Sequence, residues 1–147
     1  MDTTGERLPP DWLELIDHTA DAGFVVRATT LPELFERSAW GMFSIITEPG
    51  SVQPKTAERI TLDAPDLPAL LVRWLGELNF RHVTRHFLFS EFLIHDVNEQ
   101  RLTAEARGEP IDPARHTVHT EIKAVTFHGL QIQQTGSVWR AQVIFDL

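Results

Sequence analysis

The sequence predicts an α+β fold in two layers, with two amphipathic helices packed on one face of a largely antiparallel β-sheet. Three observations predict it. Two segments carry apolar residues at helical spacing, at 34–46 and 67–78. Short segments of strand character lie before, between and after them. From His86 onward the pattern is strand-like, with a hairpin turn between the last two strands.

Residues 1–11 are polar, carry Pro9-Pro10 and are expected to form a flexible N-terminal lead. Residues 12–147 are expected to form one domain, a length that buries a core without covalent staples. Trp12 to Asp17 suits a short strand, and Gly23 to Ala28 a second. His18 to Ala22 is then the turn between them. Thr30 and Glu33 have capping-box spacing, and behind them Leu34, Phe35, Ala39, Met42, Phe43 and Ile46 share one helical face. Thr47-Glu48-Pro49-Gly50 ends that helix. Arg59 to Leu62 is a strand candidate. Asp66 is the expected N-cap of the second helix, whose stripe is Leu67, Leu70, Leu71, Trp74, Leu75 and Leu78. It needs a sheet or the first helix to cover it.

Strand character dominates from His86 onward. His86–Asp96 is rich in Phe and Leu, and Leu102–Arg107 alternates. Glu121–Phe127 alternates as well, with Ile122, Ala124 and Thr126 opposite Lys123, Val125 and Phe127. Leu130–Gln133 and Val138–Phe145 flank a turn at Gln134-Thr135-Gly136-Ser137. In the last strand Trp139, Ala141, Val143 and Phe145 fall on one face. Trp74, Phe87, Phe89 and Trp139 read most simply as core.

Composition narrows the function. Thirteen Lys and Arg against twenty-one Asp and Glu give a formal charge of -8. Such a field repels phosphates, so direct nucleic-acid binding is not expected, and Arg73, Arg81 and Arg85 form the only loose basic group. A cation or a basic protein partner suits the charge better. The chain has no cysteine, which removes thiol nucleophiles and thiolate metal sites and fits a cytoplasmic location. No signal peptide or membrane span is expected. Phosphate-binding glycine loops, nucleophile elbows and H-E-x-x-H are all absent, so nothing argues for an enzyme.

The candidate chemistry gathers around carboxylates. Asp21 lies in the first turn, and Asp146 stands beside the terminal carboxylate. Together they would offer hard oxygen ligands to a divalent cation. The bland alternative is a solvated turn Asp and a frayed terminus, although the apolar Ile144-Phe145 points to a docked end. His18 could cap the turn, ligate metal or act as acid or base. A zinc site would need His18 with His116, His119 or His128 gathered by folding. Lys123 reads either as an edge-strand lysine guarding against aggregation or as a cation near the carboxylates. His128 ends the same strand. Glu109 follows Gly108 in a polar stretch with Asp112, Arg115 and His116.

Four motifs in chain order resemble the archease family: Asp17-His18-Thr19-Ala20-Asp21-Ala22-Gly23, Arg107-Gly108-Glu109, Glu121-Ile122-Lys123-Ala124-Val125-Thr126-Phe127-His128, and Trp139 with Asp146 one residue from the end. The resemblance implies a small, non-catalytic accessory protein of the GTP-dependent RNA ligase of tRNA splicing and RNA repair. It would promote ligase guanylylation and multiple turnover. It implies a divalent metal, calcium first with magnesium or manganese as alternatives, on Asp21, Asp146 and Leu147. Lys123 falls on the motif lysine needed for function. His18, His128 and Glu109 are further functional or partner candidates. Phe127 stands where the motif commonly has Tyr. The competing readings are a metal-dependent phosphoester hydrolase using Asp21, His18 and Asp146, and a chaperone-like protein-binding module.

Overall fold

A computed structural model describes residues 9–17 and 21–147. His18 and residues 1–8 of the expected lead lie outside the described residues. In chain order the elements are β1 (Leu13–Asp17), β2 (Asp21–Ala28), α1 (Leu31–Ile46), β3 (Thr56–Asp63), α2 (Leu67–Arg85), β4 (Phe87–Val97), β5 (Arg101–Pro110), β6 (Ala124–Val125), β7 (Gln131–Thr135) and β8 (Val138–Asp146).

Local chemistry sets both helix starts. Thr30 Oγ1 accepts from Glu33 N at 3.2 Å, and Asp66 Oδ1 accepts from Ala69 N at 2.9 Å. Each such cap stabilises its helix by about 1 kcal/mol. The reciprocal half of the expected capping box is displaced by one residue, because Glu33 Oε1 takes the backbone N–H of Thr29 at 2.9 Å rather than that of Thr30. α2 ends where His86 adopts a left-handed conformation, φ 53°, and its N–H turns back to His82 O.

The strands form two antiparallel sheets rather than the single one expected. The first runs β1-β2-β8-β6, with β7 also paired to β8; the second runs β3-β5-β4. The two helices cover both, and α1 touches β2 and β8 of the first sheet as well as β4 of the second. Strand alternation encodes which face is buried but not which strands pair, so the division was invisible in the sequence.

α1 and the sheets share one core. Leu34, Phe35, Ala39, Met42, Phe43 and Ile46 are all fully buried, as are Leu70, Leu71, Trp74, Leu75 and Leu78 of α2. Each large apolar side chain there contributes roughly 1.5–3 kcal/mol. Phe43 meets Phe89 edge-on at 5.8 Å, and Trp74 Nε1 donates to Phe35 O across the helices at 3.0 Å.

Two differences from the sequence expectation bear on the site. Asp21 belongs to β2, not to the turn before it. Glu121–Phe127 shortens to the two residues of β6, because side chains take the ladder's partners on either side. Asn79 Nδ2 donates to Ile122 O at 2.8 Å, and Thr126 Oγ1 donates to Ile144 O at 3.1 Å.

Candidate functional site

The site grows from the way β8 threads between β2 and β6. In the β2–β8 ladder Asp21 is the register partner of Asp146, and in the β6–β8 ladder Ala124 is also opposite Asp146. Lys123 N donates to Asp146 O at 2.8 Å. Residues directly opposite in an antiparallel pair carry their side chains on the same face, about 5 Å apart at Cβ. The two carboxylates are therefore neighbours by register alone.

That register is held by packing. Phe145 is fully buried and meets Phe24 edge-on at 5.6 Å, which docks the end of β8. Gly23 fixes the approach of the strands, since a Cβ there would lie 2.2 Å from Val143 O. Only glycine lets the two backbones come this close. Leu147 is half-buried and packs against the core.

Electrostatics leaves this corner incomplete. Like charges placed directly opposite destabilise a sheet, and Asp21 Oδ1 is buried without a hydrogen-bond partner among the described residues. A buried carboxylate oxygen with nothing to accept from is costly. It is also the donor a hard cation seeks. Among the described residues no three His, Asp or Glu side chains converge on a common point, so a cation here would need main-chain oxygen, as from Leu147, to complete its shell. The residues present fit such an ion.

The other sequence candidates fall in different places. Lys123 is exposed, and its backbone N–H meets the main-chain oxygen of Asp146, not a carboxylate. His128 is exposed, just before Gly129 in the connection from β6 to β7. Glu109 lies on β5 of the second sheet, not beside the Asp21–Asp146 pair. It is buried, accepts Arg115 Nη2 at 2.7 Å and Gln53 N at 2.7 Å, and lies 3.0 Å from His116 Nε2. His116 Nδ1 accepts the Asp112 N–H at 2.8 Å, so the ring hydrogen sits on Nε2 and is donated to Glu109. The Arg115 guanidinium, aided by Gln53 N–H and His116, holds the Glu109 carboxyl down at about 2 against the opposing effect of burial. Glu109 is a clasp for the 111–116 loop. Glycine precedes it because a Cβ on Gly108 would lie 1.8 Å from Leu88 O.

His18 of the alternative zinc set lies outside the described residues, and among the described residues His116 and His119 have other partners. His116 is committed to Glu109, and His119 Nε2 lies 3.0 Å from Glu48 Oε2. Sequence reasoning also missed two buried polar residues on α2, Asn79 and His82. Their signal was present, since His82 continues the apolar stripe one turn beyond Leu78. His82 Nδ1 donates to Phe87 O at 2.8 Å.

Among the described residues no helix is long and apolar enough to cross a membrane. The model of the Archease protein family (MTH1598/TM1083) matches residues 13–147. Protein archease of Methanosarcina acetivorans is 38% identical over 138 residues, covering 91% of this chain and 94% of its own. Protein archease of Methanopyrus kandleri is 39% identical over 137 residues, covering 91% and 98%. The solution structure of Methanobacterium thermoautotrophicum protein 1598 superposes with a TM-score of 0.79 at 37% identity, covering 92% of this chain and 99% of that one. The crystal structure of an archease from Thermotoga maritima, described as a possible chaperone, gives a TM-score of 0.57 at 19% identity and shares the fold, covering 97% of this chain and 98% of that one. With the family model covering residues 13–147 and these curated relatives 38–39% identical over 91% of its length, the chain belongs to the archease family.

Proposed function

We propose that this protein is a non-catalytic, metal-binding accessory factor that activates a GTP-dependent RNA ligase in tRNA splicing or RNA repair. The observation that carries the reading is the Asp21–Asp146 register pair, with a buried Asp21 Oδ1 that has no hydrogen-bond partner among the described residues. Asp21 and Asp146 would supply carboxylate oxygens and Leu147 a main-chain oxygen. Calcium suits that set best, since it accepts mixed carboxylate and carbonyl ligands in flexible geometry, with magnesium or manganese as alternatives. Once bound, the cation supplies positive charge that can meet phosphate oxygens at the ligase's nucleotide pocket.

The chain's own residues do the rest. Gly23 and Phe145 hold the two strands in register, which presents the carboxylates as a preformed pair. Lys123 N–H fixes the Asp146 backbone, and its side chain is exposed. The -8 charge fits a division of labour in which the ligase holds the RNA.

Ligase guanylylation and multiple-turnover ligation test the proposal, measured with wild type, Asp21→Ala and Asp146→Ala. Both variants should lose stimulation while keeping their fold by circular dichroism. Full stimulation by both would reject it. The hydrolase alternative predicts phosphoester turnover by the isolated protein with added metal, and the same preparations can be assayed for it.

A further inference from the structure

α2 and the segment 121–125 do not close fully on each other. Between them runs a groove of about 420 Å³ whose walls include Gly76, Asn79, Phe80, Val83, Lys123 and Val125. Three features of this groove lack a purpose within the chain.

The first is Gly76, near the middle of α2. Glycine inside a helix costs about 1 kcal/mol relative to alanine. A close neighbour can justify that cost, but a Cβ on Gly76 would meet nothing within 4 Å. The bare backbone serves an approach from outside.

The second is Asn79, only 7% exposed. Its Nδ2 holds Ile122 O, yet its Oδ1 is buried and accepts no hydrogen bond among the described residues. An unsatisfied buried amide oxygen costs about 1–3 kcal/mol, and it calls for an N–H or O–H donor.

The third is apolar exposure beside an open strand edge. Phe80 is 61% exposed and Val83 38%. β6 is the outermost strand at this end of the first sheet and is only two residues long. Unpaired edges of this kind accept an extended peptide as an added strand.

From these features we infer that the groove receives an extended segment of a partner protein, seated between α2 and β6. Apolar side chains of that segment pack over Gly76, Phe80 and Val83, and one of its N–H groups meets Asn79 Oδ1. Glu121 stands in the groove wall and the chain carries -8, so the segment carries a basic residue opposite Glu121. The partner is the RNA ligase, so the inference rests on the function proposed above and adds the docking face.

The test measures affinity of the purified ligase for immobilised wild type, Gly76→Trp, Phe80→Asp and, as a distant control, Leu15→Asp on β1. Phe80 and Leu15 are both exposed, so their variants should fold, and thermal melts will check this. Gly76→Trp and Phe80→Asp are expected to weaken binding by about tenfold or more, the effect of losing one buried anchor, with Leu15→Asp unchanged. Equal affinity for all four proteins overturns the groove and leaves the accessory role standing. A wild-type chain that neither binds nor stimulates the ligase overturns both. Concentration-dependent dimerisation that Gly76→Trp abolishes, with ligase affinity unaltered, assigns the groove to a second copy and overturns the inference.

Discussion

Asp21 stands directly across the β2–β8 ladder from Asp146, so two carboxylates from opposite ends of the sequence share one face of the sheet. Their mutual repulsion makes the corner sensitive to cations and to charge removal, and the predictions begin there.

Calcium should raise the melting temperature of the wild-type protein and leave that of Asp21→Ala or Asp146→Ala unmoved. A ligand that binds only the folded chain stabilises it by about 2.7 kcal/mol when its free concentration is roughly 100 times Kd. In chelator the order reverses. Asp21→Asn should then be more stable than wild type by about 0.2–1 kcal/mol, because the cross-strand repulsion is gone. Calorimetric scans with and without calcium check both halves.

Gly23→Ala should destabilise by about 3 kcal/mol, since its Cβ would meet Val143 O and force the strands apart. Calcium stabilisation should shrink with it, because Asp21 and Asp146 depend on the same ladder. Urea melts with and without calcium would show both effects; a variant as stable as wild type would contradict the close approach of the strands.

Glu109 gives a pH signature of its own. Its carboxyl is held at about 2 in the folded protein against a usual 4.5, mainly by Arg115. A depressed carboxylate contributes stability above the unfolded value, and that contribution is lost as pH falls from 4.5 toward 2. Glu109→Gln should therefore be less stable than wild type at neutral pH and show a flatter decline across that acidic window. Urea midpoints between pH 2 and 7 measure the difference.

His82 acts in a higher window. Burial pushes its imidazole below the usual 6.5, and the Phe87 carbonyl offsets this only in part. Below pH 6.5 the unfolded chain takes up a proton that the folded chain resists, so stability falls as pH drops from 6.5 toward the lowered folded value. His82→Gln should remove that segment of the pH dependence, whatever it does to stability at neutral pH.

Much of the fold was legible because period and punctuation agreed. The stripes of α1 and α2, the caps at Thr30 and Asp66, and the strands at 13–17, 87–97 and 138–146 are stated by local chemistry. Sheet membership was not. Alternation in β3 and β8 looks alike, while the partner of each strand is a long-range fact. The carboxylate pair was readable through motifs at both ends of the chain, and register then brought them together. The partners of Glu109 were not readable: it binds Arg115, Gln53 N–H and His116, and only the loop's return reveals them. Asn79 and His82 were hidden by polarity within an otherwise apolar helix face.

The position of β8 also bears on biosynthesis. β8 hydrogen-bonds to β2 on one side and to β6 and β7 on the other, so the first sheet has no central strand until residues 138–146 have left the ribosome. The second sheet and both helices lie wholly within residues 31–110 and can assemble while translation continues. β2, packed against α1, waits until then without its β8 partner. The first sheet therefore closes only when β8 arrives, and a nascent chain stalled before Val138 would leave Phe24 without its edge-on partner Phe145.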